Sequence, residues 1–86
     1  AFMIACATGH KDVVQLLLEH SERIDINARD NDGITAFMWA CYLRHKDVVK
    51  LLLEHSEVVD INLPESFQLY KDIENLIELH SMKVQN

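Results

Sequence analysis

The sequence predicts an all-α fold, an α-solenoid of stacked helix–turn–helix units joined by β-hairpin-like fingers. The first observation is an internal repeat, since residues 1–27 return at 36–62 with an offset of 35 and 20 of 27 positions identical. A repeat of this period is typical of solenoids, in which each unit buries its apolar face against its neighbour. The second observation is a shorter third copy, because the Lys-Asp-Val of 46–48 returns as the Lys-Asp-Ile of 71–73. We therefore divide one domain, 1–86, into a partial first unit (1–27), a full second unit with its finger (28–62), a truncated terminal unit (63–81) and a tail (82–86).

The first helix of the second unit is expected to begin directly after Thr35, because threonine is a good N-cap residue. From there the apolar residues recur on one face of a short helix. Core positions on that face are Ala36, Phe37, Ala40 and Cys41.

The sequence of the turn after this helix differs between the first two units. Gly9 ends the helix in the first unit, where glycine adopts a left-handed backbone conformation without strain. Arg44 occupies the same position in the second unit. Two interpretations are open: either Arg44 accepts a left-handed angle, at about 1–3 kcal/mol, or the turn has another shape.

A second helix is predicted from about Asp47 to His55. Asp47 lies at its positive N-terminal end and His55 at its negative C-terminal end, and both placements favour the helix dipole. The residues between them are apolar on nearly every side, which predicts a buried helix with Leu52 near its centre.

Residues 25–33 are rich in Asp, Asn and Gly, a composition that predicts a tight turn projecting as a finger. The corresponding part of the last unit, 63–70, lacks this pattern, so we expect a short or merged first helix, no finger, and a possible capping box of Asn62 with Glu65. The helix that follows, 71–81, should close the array with a polar outer side, and the tail from Met82 should fray. That polar side comprises Lys71, Glu74, Asn75 and Glu78.

Composition excludes several classes of function. A net charge of −6 argues against nucleic acid as the main partner and mildly favours a partner with basic character. No apolar run reaches about 18 residues, so we expect no membrane span. Cys6 and Cys41 occupy equivalent positions of units that stack about 10 Å apart, beyond the roughly 7 Å that a disulfide allows. Two buried free thiols, and hence a reducing, intracellular and cytoplasmic location, are predicted.

Several titratable residues occupy equivalent positions in successive units and so form columns along the array. Such columns resemble a reactive site but have a simpler explanation. Duplication alone aligns His10 with His45, and His20 with His55 and His80. No cysteine or carboxylate accompanies them at zinc-site spacing, so we expect helix-end roles, no metal and no cofactor. A third column resembles paired catalytic carboxylates, but its placement at helix N-termini explains it without a reaction, and we predict no enzymatic activity. It consists of Asp12, Asp47 and Asp72.

The motif Asp30-x-x-Gly33-x-Thr35, the small pair Ala40-Cys41 and the closing Asp60-Ile61-Asn62 together resemble the ankyrin repeat. The resemblance is strong over residues 1–62 and weak over 63–81. The proline of the family's Thr-Pro-Leu-His is absent, and its histidine is replaced by methionine in both units. The resemblance implies an ankyrin-like solenoid that binds proteins.

A few positions differ between the two nearly identical units, and they lie on or beside the first helix. Ile4 becomes Trp39, Ala7 becomes Tyr42 and Thr8 becomes Leu43. Gly9 likewise becomes Arg44. Aromatic residues and arginine are frequent in binding hot spots, and this composition is shared by Trp39, Tyr42, Arg44 and Arg29. The simpler interpretation, that Trp39 only packs against Ile4, remains open. With the finger positions that the resemblance implies, the predicted protein-binding residues are Thr8, Arg29, Asn31, Asp32, Ile34, Trp39, Tyr42 and Leu43.

We therefore expect a non-catalytic protein–protein interaction module, or scaffold, that uses its finger tips and concave first-helix face. Two alternatives are a targeting or regulatory array attached to a catalytic domain upstream, and a structural spacer, for which changes at Tyr42 and Leu43 would alter no interaction. Because Ala1 corresponds to Ala36 inside a unit, we expect the C-terminal piece of a longer array. The resulting bare N-terminal edge should favour self-association. That edge comprises Phe2, Ala5, Val13, Leu16 and Leu17.

Overall fold

A computed structural model describes residues 2–64, 67 and 70–84. Within these residues the secondary structure is helical, without strands, and the predicted all-α class is confirmed. The helices are α1 (Phe2–Thr8), α2 (Lys11–Glu19), α3 (Ala36–Tyr42), α4 (Lys46–Glu54) and α5 (Lys71–Val84), with a short 3-10 turn at Ser21–Arg23. None of the helices in this part of the chain is long and apolar enough to cross a membrane.

The helices form two layers that follow the repeat. The first helices of successive units, α1 and α3, pack against each other, and so do the second helices α2, α4 and α5. One apolar core runs through both layers, because each unit contributes buried residues to the same cluster. The position of a residue in the repeat therefore decides in which of the two layers its side chain lies.

The second unit folds as its sequence predicts. The Thr35 side chain accepts a hydrogen bond from the Met38 amide at 3.3 Å and caps α3. Cys41 is fully buried, and so is Cys6 of the first unit; both are free thiols whose burial raises the pKa to about 12. In α4 the apolar residues between Val48 and Leu53 are all buried, as expected for a helix covered on both sides.

The turn after the first helix has the same shape in both units. Gly9 has a φ of 77°, and Arg44 accepts a left-handed φ of 60°, so the first of the two interpretations is right. Gly9 is also required for space, because a Cβ there would lie 2.6 Å from Nδ1 of His45. In the second unit the Arg44 guanidinium lies 5.0 Å from the centre of the Tyr70 ring and donates to Asp72 at 2.7 Å. These contacts with the third unit offset the strained backbone angle.

The finger is a hydrogen-bonded turn. The Asp30 amide donates to the Ile34 carbonyl at 3.0 Å, and the Gly33 amide donates to the Asp30 carbonyl at 2.9 Å. Gly33 supplies the positive φ, 78°, that closes the turn. The predicted tight turn is therefore present.

The C-terminal helix is longer than predicted. α5 continues to Val84, so the prediction of a frayed tail is wrong for Met82 to Val84. The four predicted polar residues of its outer side are exposed, but Leu79 and Met82 are exposed as well. The predicted capping box and the first helix of the last unit involve residues 65, 66, 68 and 69, and the end of the tail involves 85 and 86. All six lie outside the described residues.

The N-terminal edge is only partly bare. Phe2 and Ala5 are buried, contrary to the prediction, because α1 packs this face against α3. Val13 and Leu16 are exposed and Leu17 is half-buried. The uncovered part of the edge therefore lies on α2.

Candidate partner-binding surface

The predicted binding residues lie in two adjoining regions. We call Ile4, Thr8, Trp39, Tyr42 and Leu43 the first-helix face, and residues 29–34 the finger tip. Tyr42 is 57% exposed and Leu43 is 41% exposed, at the C-terminal end of α3. Thr8 is exposed at the equivalent end of α1. Because α1 packs beside α3, the residues of both units contribute to one surface.

Trp39 joins the two regions. Its Nε1–H donates to Oδ2 of Asp30 at 3.0 Å, while Oδ1 of Asp30 accepts from the amides of Ile34 and Asp32, both at 2.9 Å. The hydrogen bond from the Ile34 amide contributes most to lowering the pKa of Asp30, and the bonds from the Trp39 indole and the Asp32 amide lower it further. Asp30 therefore stays ionised at neutral pH and holds the finger against α3.

Trp39 also lines a shallow apolar depression of about 260 Å³ with Met3, Ile4, Ala7 and Asp30. Its ring meets Tyr42 edge-on, with centroids 6.2 Å apart and an interplanar angle of 81°. The half-buried Trp39 thus lies beside Ile4, as the simpler interpretation expects, and also fixes the finger. Sequence reasoning missed Asp30 as a surface-forming residue, although the Asp-x-x-Gly-x-Thr motif contains it.

The finger tip is ordered by its own hydrogen bonds. Arg29 donates from Nη1 to the Gly33 carbonyl at 3.1 Å, and Arg29, Asn31 and Asp32 are exposed. Ile34 is half-buried, and both of its backbone polar groups are used to close the turn. The backbone of the turn and the Arg29 side chain are therefore held in place by hydrogen bonds within the finger tip.

Arg44 is directed away from this surface. Its bond to Asp72 is reinforced by Lys46, whose Nζ lies 2.9 Å from the same carboxylate oxygen. Hydrogen bonds from Arg44 and then Lys46 hold the pKa of Asp72 well below its usual range. The arginine that sequence reasoning grouped with Trp39 and Tyr42 instead links the second unit to the third.

The histidines occupy helix ends with one exception. His10 and His45 are N-cap residues, and His20 and His55 are C-cap residues. His80 lies inside α5, so the helix-end prediction is wrong there because that helix continues past it. His45 donates from Nε2 to the Ala7 carbonyl at 2.8 Å and so links two units.

The three columns of titratable residues are spread along the stack of units. Among residues 2–64, 67 and 70–84, no group of three or more His, Cys, Asp or Glu side chains is placed to hold a metal ion. Asp47 accepts from the Val48 amide and Asp72 from the Ile73 amide, both at 2.9 Å. These carboxylates therefore satisfy amides in the first turns of α4 and α5.

Comparison with known proteins gives one result. The family model for ankyrin repeats (3 copies) matches residues 1–64. No curated protein and no solved structure matches the chain. The matched range contains α1 to α4, the finger tip and the whole first-helix face.

Proposed function

The chain belongs to the ankyrin repeat family, and we propose that it binds a partner protein, without catalysing a reaction, through the finger tip and the first-helix face. Ankyrin repeats are generally protein–protein interaction modules. In a cell such a module acts as a scaffold, because it holds the partner protein next to the rest of the protein that contains the array.

The observation that carries this proposal is an exposed apolar surface beside a pre-ordered polar turn. Ile4, Tyr42 and Leu43 are exposed large apolar residues on two helices that pack together. Contiguous apolar surface is characteristic of interaction sites, and aromatic residues carry much of the binding energy there. The Trp39–Asp30 bond fixes the finger next to this surface, so little conformational entropy is lost on binding.

The class of partner follows from charge. With a net charge of −6 the chain repels nucleic acid phosphates and acidic membrane surfaces, which supports a protein partner. The two free, buried cysteines support an intracellular, cytoplasmic location, where thiols stay reduced. If a longer reading frame places a catalytic domain ahead of this array, the same surface would serve as its targeting or regulatory element.

The test compares two double variants with the parent protein. Tyr42→Ala/Leu43→Ala removes exposed apolar side chains from the first-helix face, while Val58→Ala/Leu79→Ala removes two exposed apolar side chains elsewhere. All three proteins are used for affinity capture from cell extract, with quantitative identification of the retained proteins. The proposal predicts a partner that the control retains and the first variant loses. If every protein captured by the parent is captured equally by both variants, the array is a spacer.

Self-association is a separate proposal that concerns the N-terminal edge. The exposed Val13 and Leu16 support a contact there. An antiparallel two-fold contact of α2 with its copy would bring the exposed Asp12 and Glu19 of both molecules together, which opposes it. Light scattering over a concentration series, at low and high salt, measures the average molecular mass and hence the fraction of dimer. A monomer at high micromolar concentration in both salts would exclude the dimer.

A further inference from the structure

The third unit carries a leucine on the outer side of the array where both preceding units carry glutamate. Leu79 corresponds to Glu54 at the offset that separates the last two units, and Glu54 corresponds to Glu19. All three side chains are exposed, Leu79 by 56%. Glu54 is exposed although α4 packs against both α2 and α5, so a neighbouring unit does not cover this position. The exposed leucine is therefore a property of the third unit itself.

Met82 extends this apolar surface along α5. It follows Leu79 by three residues, so both side chains lie on one side of the helix, and Met82 is 66% exposed. Its counterparts in the sequence of the first two units are again glutamates, Glu22 and Glu57. We call Leu79 and Met82 the α5 stripe, in which apolar residues replace two glutamates of the repeat.

The α5 stripe borders an open groove between α4 and α5. The groove has a volume of about 330 Å³ and is lined by three leucines, Leu53 from α4 with Leu76 and Leu79 from α5. Leu53 is buried and Leu76 is half-buried, so apolar surface continues from the stripe into the groove. The corresponding cleft between α2 and α4 is lined by one leucine, Leu51. The truncated unit therefore provides apolar surface that the stack of the first two units lacks.

The charge of this groove is opposite to that of the whole chain. Lys50 and Lys83 line it together with His80 and one acidic residue, Glu54. With a neutral imidazole the groove has an excess of one positive charge, whereas the chain has a net charge of −6. Lys50 also lines the cleft between α2 and α4, beside Asp47 and Glu54. Among the ion pairs of the described residues none involves Lys50 or Lys83, so both can meet a carboxylate of a ligand.

We propose that the α5 stripe and the groove beside it bind an acidic amphipathic helix of a partner protein. Such a helix has apolar residues spaced i, i+3 and i+4 on one side and glutamates or aspartates along the flank. The open groove suits a helix better than a small molecule, because small-molecule sites enclose about 70–90% of the ligand surface. Charges more than about 8 Å apart are largely screened at physiological salt, so the two lysines outweigh the net charge of the chain.

A second copy of the chain fits this site less well. A two-fold contact between two α5 stripes places the same surface of both molecules face to face. The lysine side of one groove, Lys50 and Lys83, would then meet the lysine side of the other, and like charges oppose the contact. The carboxylates must therefore come from a different sequence. The site lies on the second-helix layer, away from the first-helix face, so two partners can bind the array at once.

The experiment uses two labelled synthetic helices of about 20 residues, long enough to be helical alone. Both have leucines on one face, and their flanks carry either glutamates or lysines. Binding to the full 86-residue chain is followed by fluorescence anisotropy at physiological salt. The proposal predicts that the glutamate helix binds at least about tenfold more tightly, although the net charge of the chain favours the lysine helix. Equal binding of the two helices, tighter binding of the lysine helix, or no binding would overturn the proposal.

Matched variants locate the site on α5. Leu79→Glu restores the residue of the other two units, at a position where glutamate is exposed, so the fold should tolerate it. It should weaken binding of the glutamate helix at least about tenfold. Leu16→Glu is the control, because Leu16 is also 56% exposed and the variant adds the same charge on α2, where it should leave binding unchanged. Circular dichroism checks that both variants are folded. Equal losses from the two variants would place binding elsewhere and overturn the proposal.

A second pair of variants tests the charge of the groove. Lys83→Gln should weaken binding of the glutamate helix by about threefold or more, because it removes one of the two lysines that meet the carboxylates. Lys11→Gln removes the same charge from an exposed lysine on α2 and should have no effect. Sedimentation of the chain alone examines the other occupant. A dimer that Leu79→Glu dissociates would show that a second copy occupies the groove and would overturn the proposal.

Discussion

Truncation of one leucine in each of the first two units measures how much the neighbouring unit contributes to stability. Leu51 is buried and Leu16 is mostly exposed, although both have the same position in helices that differ only at Gln15 and Lys50. Leucine to alanine removes three carbon atoms, worth about 0.8 kcal/mol each when they are buried. With the cavity that remains, Leu51→Ala should lower the free energy of unfolding by about 3 kcal/mol. Leu16→Ala leaves no cavity and should lower it by about 1 kcal/mol or less.

The assay is urea unfolding followed by circular dichroism, with Trp39 fluorescence as a second probe of two-state behaviour. A domain of this size has an m value of about 1 kcal/mol/M in urea, so the midpoint of Leu51→Ala should lie about 2 M below that of Leu16→Ala. The loss is large, because the whole stability of a chain of this length is about 4–13 kcal/mol. Equal midpoint shifts for the two variants would refute the inference that packing of α2 against α4 buries Leu51 and leaves Leu16 exposed.

Three further predictions concern turns, charge and thiols. Gly33→Ala should cost about 1–2 kcal/mol from its positive φ alone, and Gly9→Ala should cost more because its Cβ also collides with an imidazole, as paired thermal melts would measure. The lowered pKa of Asp72 means that its ion pairs stabilise the fold above about pH 4, the range of an unfolded aspartate, and lose this effect as pH falls further. The stability advantage of the parent over Asp72→Asn should therefore shrink between about pH 4 and pH 2 in urea titrations at each pH. Cys6 and Cys41 should react with a thiol reagent at pH 8 only at the rate of unfolding, and a burst of labelling in the native protein would contradict their burial.

Local signals predicted the elements of each unit well. Thr35 caps α3 because a side-chain oxygen at that position satisfies an amide whatever the rest of the fold does. The turn at Gly33 follows from a backbone conformation that glycine accepts most readily. The repeat itself supplied the architecture, since identical units must stack in an equivalent way.

Contacts between units could not be predicted from the same signals. Leu16 and Leu51 lie in helices whose sequences differ only at Gln15 and Lys50, so no local apolar pattern distinguishes the exposed residue from the buried one. Hot-spot composition groups Arg44 with Trp39 and Tyr42, but its partner Asp72 lies 28 positions away in the truncated unit, where the register changes. The link from Trp39 to Asp30 likewise depends on how the finger folds back on α3.

The residue at which α5 ends could not be predicted for a related reason. In the first two units a His-Ser pair follows the second helix, after which the chain turns toward the Asp-Ile-Asn segment. The third unit has the same pair at 80–81, but no such segment follows it, and the helix continues to Val84.

The most direct test of the central claim is site-specific photo-crosslinking at two exposed positions. A photoreactive amino acid replaces Tyr42 on the first-helix face or, as the control, Leu79 on α5, where the wild-type side chains are 57% and 56% exposed. After irradiation in cell extract, the account predicts a discrete covalent complex with a partner protein from position 42 and none of the same mass from position 79. The same crosslinked protein from both positions, or a discrete complex from position 79 alone, would contradict the claim that the finger tip and the first-helix face form the partner-binding surface.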